Sequence, residues 1–220
     1  GGINPRPPIF TWSIAVVASL LNPFFSDGDA VWWAILSLPA VYGTLTILPV
    51  AYIAREHINE KAAVVAAWLI AFMPAHVSHT TWALADHDAF IMLFITLGFM
   101  FWLRAVKYAG SERLLRTSSP SLMSFVSAFS AVASERRAAF SAAILAGVSF
   151  GIVSLGWKGF VVGPSIIFLA YAAQVAINMF RRRDSTTLNV LFLTMLMVNF
   201  LMALPFYAHP QISLILDGTG

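Results

Sequence analysis

The chain has 220 residues, of which 59% are hydrophobic and only 10% charged, and its mean hydropathy is +0.80. Water-soluble domains carry about a quarter charged residues, so this composition excludes an ordinary soluble domain. The absence of cysteine excludes disulfides, thiolate nucleophiles and cysteine-bound metals. The net charge of +3 does not indicate a nucleic-acid-binding protein, because the basic residues lie at the ends of apolar segments, where membrane topology explains them.

Seven apolar segments follow one another along the chain. They cover residues 9–25, 31–54, 62–77, 89–106, 140–155, 160–180 and 188–206. We expect the last six to span a bilayer as helices, because lipid offers the backbone no hydrogen-bond partner outside the segment. The alternation typical of barrel strands is absent. The first segment either spans or lies at the outer interface. The predicted fold class is therefore all-α, a polytopic helical membrane protein.

The basic residues predict the orientation of these spans. If the spans alternate, eleven of the 13 Lys and Arg residues fall on one side, which the positive-inside tendency makes cytoplasmic. They are Arg55, Lys61, Arg104, Lys107, Arg113, Arg116, Arg136, Arg137, Arg181, Arg182 and Arg183. Residues 107–139 then form a cytoplasmic loop, in which 119–134 make an interfacial helix or a half-buried hairpin. Asp86 and Asp88 lie on the extracytoplasmic face of a multi-pass cell-membrane protein.

Both ends of the sequence resemble the interiors of loops. The chain begins with Gly1-Gly2-Ile3-Asn4-Pro5 instead of an initiator Met, and it ends with Asp217-Gly218-Thr219-Gly220. We therefore expect residues 1–220 to be a fragment of one transmembrane domain in a longer protein.

The polar chemistry gathers in Asp86-His87-Asp88, directly before an apolar helix. Closely spaced carboxylates are hard oxygen ligands that suit Mg²⁺ or Mn²⁺, and such an ion neutralises charge on a leaving phosphate. The positive end of the following helix also favours anions. The alternative is structural: Asp86 or Asp88 caps the helix that begins near Ala89.

Three further polar residues lie near the same face. His76 and His79 share a helix face at a spacing of three, and they either bind a metal or phosphate or serve as interfacial hydrogen-bonding groups. Lys158, in an outer turn, either contacts an anionic lipid phosphate or extends to the headgroups beside the belt residues Trp82 and Trp157. Nucleophile elbows, zinc helices and Gly-rich phosphate loops are absent from the sequence.

The run His79-Thr80-Thr81-Trp82-Ala83-Leu84-Ala85-Asp86-His87-Asp88-Ala89-Phe90 resembles the second acidic motif of the catalytic subunit of asparagine-linked oligosaccharyltransferase. The archaeal form, AglB, is the nearer likeness and bacterial PglB the more distant one. Arg6-Pro7-Pro8 with Phe10-Thr11-Trp12-Ser13 is similar to the end of the family's first external loop. Leu155-Gly156-Trp157-Lys158-Gly159-Phe160 is similar to its Trp-x-Gly turn.

The resemblance implies a GT-C-type transmembrane domain with residues 9–25 in an external loop. It implies Mn²⁺ or Mg²⁺ bound by Asp86 and Asp88 as the catalytic pair, with His79 and Lys158 as candidates for contact with the donor phosphate. The implied reaction moves an oligosaccharide from a dolichol phosphate or pyrophosphate carrier to Asn in Asn-x-Ser/Thr of an acceptor polypeptide, at a membrane lipid surface and with no nucleic acid involved.

Two departures and two alternatives accompany this interpretation. The family usually has Arg where His79 stands and Gly where Ala83 stands. A further acidic ligand and the sequon-reading domain are expected outside residues 1–220, so the fragment alone is expected to be inactive. The alternatives are another polyprenyl-phosphate-sugar-dependent transferase, such as a protein O-mannosyltransferase, and a non-catalytic membrane scaffold or transporter. The nearly charge-free helix interiors argue against an ion-coupled transporter.

Overall fold

The computed structural model describes residues 9–83, 87–110 and 122–207, with the side chains of Asp27 and residues 122–125 left out. Its regular structure is helical throughout these ranges, which confirms the predicted all-α membrane fold. The helices are α1 (Ile9–Leu21), α2 (Asp27–His57), α3 (Glu60–Phe72), α4 (Pro74–Thr80), α5 (Asp88–Ala109), α6 (Leu122–Glu135), α7 (Arg137–Ser154), α8 (Val162–Phe180) and α9 (Thr186–Tyr207). Five of them, α2, α5, α7, α8 and α9, are long and apolar enough to cross a membrane.

The segment predicted as one continuous span over 62–77 is divided in two. α3 ends at Phe72, and α4 begins at Pro74 with its axis bent 58° from that of α3. Proline cannot donate the helical hydrogen bond and restricts the preceding residue to extended backbone, as found at Met73 (φ −62°, ψ 120°). The α3–α4 pair is therefore either a sixth, broken span or a re-entrant segment. Because of the bend, α4 approaches the acidic loop in a different direction from α3.

The tightest packing lies among α5, α7 and α9, with α7 between the other two. A Cβ added at Gly147 of α7 would lie 2.6 Å from the Met195 carbonyl oxygen of α9. Small residues on α7 thus allow its backbone to approach α9 closely, a common arrangement in membrane helix pairs. Phe150 fills the space between α7 and Gly98 of α5, where an added Cβ would lie 2.6 Å from its ring.

The side-chain contacts set the directions of the helices. α2 and α5 run parallel, because Tyr42, midway along α2, meets Phe90 near the start of α5, and Glu56 near the end of α2 meets Arg104 near the end of α5. α7 and α9 run together in the opposite direction, and Tyr207 at the end of α9 donates to the Ser154 carbonyl at the end of α7 (3.0 Å). Asp88, the first residue of α5, therefore lies at the opposite end of the bundle from Arg104 and Lys107.

Two shorter helices, α1 and α6, pack against this framework. α1 has only 13 residues, about 20 Å, and the amide of Ile9 at its start donates to the Leu155 carbonyl at the end of α7 (3.2 Å). α6 lies within the predicted cytoplasmic loop, where the structure has a helix and not a hairpin. Its Ala128 and Val132 are buried, and Phe129 contacts Phe140 of α7 edge-on.

Candidate functional site

Asp88 is the first residue of α5, and two imidazoles approach its carboxylate. His79 Nδ1 lies 3.2 Å from Oδ2, and His87 Nε2 lies 3.8 Å from Oδ1. The Asp88 side chain is 43% exposed, and it lies at the positive end of the helix dipole. The N-cap position is occupied by His87, which makes no side-chain capping bond. The helix terminus and the imidazoles together favour a negative or metal-coordinating oxygen here.

Asp86 falls in residues 84–86, outside the described residues, so its predicted pairing with Asp88 stays a prediction. The two residues before this stretch, Trp82 and Ala83, are fixed by contacts with α2. Trp82 packs edge-on against Trp33 of α2, with ring centroids 5.9 Å apart, and the Ala83 amide donates to the Leu36 carbonyl (3.1 Å). The chain therefore approaches Asp86 from a fixed point on α2.

Ala83 has a left-handed backbone conformation, with φ of 70°. This region is costly for a residue with a Cβ and costs glycine little. A glycine here would adopt this conformation at little cost, whereas the alanine of this chain adopts it under strain.

His76 and His79, predicted to share a face, are directed to different neighbours. His76 is buried, 4% exposed, and its Nε2 lies 3.2 Å from the Gly43 carbonyl oxygen of α2. His79 is half exposed and meets Asp88. Of the two interpretations left open for His76, the structure shows the hydrogen-bonding one.

An aromatic cluster supports the first turn of α5 beneath Asp88. Phe90 is 3% exposed and contacts Tyr42 of α2, Phe10 of α1 and Phe94, with ring centroids 5.3, 5.9 and 4.7 Å apart. Because these side chains come from three helices, the position of Asp88 is fixed by the packing of the bundle.

Lys158 lies in the turn between α7 and α8, and its side chain is exposed. The turn packs against the start of α5, since a Cβ at Gly156 would lie 3.1 Å from the side chains of Phe90 and Ile91. The structure therefore places Lys158 at the same end of the bundle as Asp88, as the sequence predicted.

The side chains around Asp88 are of the types that bind divalent ions, but the described residues supply too few of them to form a complete metal site. One carboxylate with neighbouring imidazoles suits Mn²⁺, and the carboxylate also suits Mg²⁺. Within residues 9–83, 87–110 and 122–207, no three His, Asp or Glu side chains gather as a metal site. Asp88 would hold an ion only together with groups beyond these ranges, of which Asp86 is the nearest in sequence.

The sequence model of the family described as oligosaccharyl transferase STT3, N-terminal, matches residues 7–216. The chain belongs to this family. The family resemblance stated from the sequence is thereby confirmed, and the chain is part of a multi-pass membrane protein.

A curated relative is the dolichyl-phosphooligosaccharide-protein glycotransferase 3 of Archaeoglobus fulgidus, which is 27% identical over 210 residues. The alignment covers 92% of this chain and 22% of that protein. The STT3 chain thus spans about a fifth of the length of its relative. No solved structure matches it.

Sequence reasoning missed one charged cluster in this STT3 chain, at the end of the bundle away from Asp88. Arg104 Nε lies 3.3 Å from Glu56 Oε2, and Lys107 Nζ lies 3.5 Å from Glu56 Oε1. The Arg104 guanidinium also lies over the Tyr52 ring, 5.0 Å from its centroid. The spacing of three between Arg104 and Lys107 was the available signal, because it puts both cations on one helix face.

Proposed function

We propose that this chain belongs to the transmembrane part of a glycosyltransferase acting in protein N-glycosylation. The enzyme transfers an oligosaccharide from a dolichol phosphate or pyrophosphate carrier to Asn in an Asn-x-Ser/Thr sequon. Membership in the STT3 family and the printed name of the archaeal relative support the reaction class. The observation that carries the proposal is Asp88 at the start of α5, half exposed and within reach of two imidazoles.

Asp86 and Asp88 are proposed to hold Mn²⁺ or Mg²⁺ together with ligands from elsewhere in the complete protein. When bound, such an ion neutralises the leaving phosphate and helps to polarise the acceptor amide. The residues of this chain position the site. The aromatic cluster around Phe90 fixes the first turn of α5, and the dipole of α5 favours the anionic donor. His79 is proposed to donate a hydrogen bond to the carrier phosphate, and its position beside Asp88 with a side chain 50% exposed supports this.

The acidic end is proposed to face the extracytoplasmic side, where a lipid-linked sugar is presented at headgroup level. The basic ends of α2, α5 and α8 lie at the opposite end of the bundle, as cytoplasmic ends do by the positive-inside tendency. The exposed apolar sides of the helices offer a surface for the polyprenyl chain. Among the described residues, the Lys158 ammonium and the His79 imidazole lie at this end and are proposed to contact the phosphate.

Cysteine labelling tests the orientation in a cysteine-free version of the complete protein in intact cells. An impermeant maleimide is expected to label a cysteine at residue 85 and to leave one at residue 183 unlabelled until the membrane is opened. The reverse pattern would contradict the proposed orientation.

A transfer assay with the complete protein tests the reaction. Dolichol-linked oligosaccharide is offered with a peptide carrying Asn-x-Thr, and the matched control peptide has Gln in place of Asn. We expect product only with the Asn peptide, and its loss in chelator followed by recovery with Mn²⁺. Transfer to the Gln control peptide, through its Thr, would support an O-glycosylating enzyme instead. Transfer that is unaffected by chelator would refute the metal.

A further inference from the structure

We propose that His76 is a positioning residue for the acidic site. The hydrogen bond from its buried imidazole to Gly43 of α2 fixes the rotation of α4 and thereby holds His79 against Asp88. The catalytic consequence of this inference depends on the proposed function, while the structural consequence can be measured without it.

A histidine is not the side chain that would give the most stable fold at position 76. The Gly43 carbonyl can only accept, so the proton of the imidazole lies on Nε2, which donates across 3.2 Å. Nδ1 is then a buried acceptor, and it has no hydrogen-bond partner in the part of the chain that the structure describes. A buried polar atom without a partner is destabilising, and an apolar side chain of similar volume would avoid that cost.

α4 needs an anchor because it is too short to hold its own position. It has seven residues, follows a 58° bend, and precedes the loop of Trp82 and Ala83. An isolated helix of two turns is unstable in water and is held mainly by its packing contacts. The rotation of α4 is thus determined by the residues that it packs on α2.

Both anchoring contacts of α4 fall on the same residue of α2. His76 and Thr80 are four apart, so they lie on one face of α4, and that face packs on Gly43. Thr80 fits there only because Gly43 lacks a side chain: an added Cβ would lie 2.6 Å from Thr80 Cγ2. The two contacts together fix both the distance and the rotation of α4 against α2.

His79 is on an adjacent face of the same helix, next to Thr80, where its Nδ1 meets Asp88 at 3.2 Å. A helix with its side chains has a radius of about 5 to 6 Å, so a rotation of α4 by about 10° moves the His79 imidazole by about 1 Å. Functional groups usually need to be held within about 0.5 Å. The His76–Gly43 bond is therefore in a position to control the His79–Asp88 geometry.

Two variants of the complete protein separate the hydrogen bond from the packing. His76→Gln keeps an amide donor near the place of Nε2, whereas His76→Met keeps a similar volume without a donor. Three measurements follow: Mn²⁺ affinity, kcat and KM for sequon-peptide transfer, and amide hydrogen exchange over residues 74–83.

We expect His76→Met to fold at least as stably as the wild type, because the buried Nδ1 is removed. Its Mn²⁺ affinity and kcat should fall about 10- to 100-fold, as for losses of residues that orient metal ligands. Amide exchange over 74–83 should become faster. His76→Gln should stay within about threefold of the wild type in all three measurements. Gly43→Ala, which pushes Thr80 away from α2, should reproduce the effects of His76→Met.

Wild-type exchange and wild-type Mn²⁺ affinity in His76→Met would overturn the proposal. Loss of folding in His76→Met, with His76→Gln intact, would make His76 a purely structural residue and would overturn it too. If the wild-type protein neither binds Mn²⁺ nor transfers sugar, the proposed function fails. The exchange comparison between the Met and Gln variants then still decides whether His76 holds α4.

Discussion

The two ends of the α5 region carry carboxylates in opposite circumstances. Glu56 meets the C-terminal end of α5, where Arg104 and Lys107 pair with it, and its side chain is only 9% exposed. Asp88 begins the other end, where the neighbours in the described chain are imidazoles and the side chain is 43% exposed. The Glu56 carboxylate is thus buried beside two permanent cations. The Asp88 carboxylate is accessible to solvent and lies beside imidazoles, which are themselves possible metal ligands.

We propose that this difference separates a structural acid, Glu56, from a functional one, Asp88. Two permanent cations already balance the charge of Glu56, and the Lys107 ammonium also donates to the Glu56 main-chain carbonyl (2.9 Å). The described neighbours of Asp88 are imidazoles, and histidine carries a full charge only when protonated. We propose that the Asp88 end therefore accepts a further cation more readily than the Glu56 end does. The same residue class thus ties helices together at one end and is proposed to bind an ion at the other.

The largest expected effect is on catalysis at the Asp88 end. Asp88→Ala in the complete protein should lower the transfer rate at least about 100-fold, since an ion's stabilisation of charge is worth several kcal/mol and about 1.4 kcal/mol is a factor of ten. Asp86→Ala should behave alike. The measurement is the initial rate of peptide glycosylation at saturating Mn²⁺.

Glu56→Gln is the matched control for that rate. Its transfer rate, corrected for the folded fraction, should stay within a few-fold of the wild type because Glu56 lies at the far end of the bundle. Equal losses in Asp88→Ala and Glu56→Gln would remove the distinction between the two carboxylates.

The second effect is on stability at the Glu56 end. Glu56→Ala leaves Arg104 and Lys107 without their shared partner, and it should lower the free energy of unfolding by about 2 kcal/mol, between the values for exposed and buried pairs. Thermal unfolding in detergent measures this, and Asp88→Ala should change stability by less. A larger loss in Asp88→Ala would reverse the assignment of roles.

A smaller effect concerns the imidazole beside Asp88. His79→Ala should raise the KM for the lipid-linked donor about tenfold through the loss of one charge-assisted hydrogen bond. His79→Arg, which introduces the family's usual residue, should keep the KM at or below the wild-type value. Steady-state kinetics with varied donor checks both, and an unchanged KM in His79→Ala would exclude contact with the donor phosphate.

The smallest effect concerns the approach to the acidic loop. Ala83→Gly removes a Cβ from a left-handed backbone position and should stabilise the protein by about 1 kcal/mol. The greater freedom of glycine in the unfolded chain reduces this gain. The midpoint of thermal unfolding should rise, whereas Ala83→Val should lower it. A fall in the midpoint for Ala83→Gly would show that the left-handed conformation is not retained.

The sequence was sufficient for the membrane class and most of the helices, because long apolar runs permit few other structures in lipid. It also placed Asp88 at the start of a helix and Lys158 at the same end of the bundle. The break at Pro74 was predictable in principle from proline's missing donor, although an apolar run of the length of 62–77 suggested one continuous span.

Long-range contacts could not be predicted in the same way. The burial of His76 depends on Gly43, 33 residues away, and the pairing of Glu56 depends on residues about 50 positions later. Short-range spacing assigns a residue to a helix face but does not say which other helix that face meets. The roles of His76 and Glu56 therefore needed the packed structure.

The central claim is that a divalent cation binds at the Asp88 end and not at the Glu56 end. Electron paramagnetic resonance titration with Mn²⁺ measures this in the complete, detergent-solubilised protein, for the wild type, Asp88→Asn and Glu56→Gln. We expect saturable binding in the wild type, an affinity at least about tenfold weaker in Asp88→Asn, and no change in Glu56→Gln. Equal Mn²⁺ binding in all three proteins, or none in the wild type, would contradict the account.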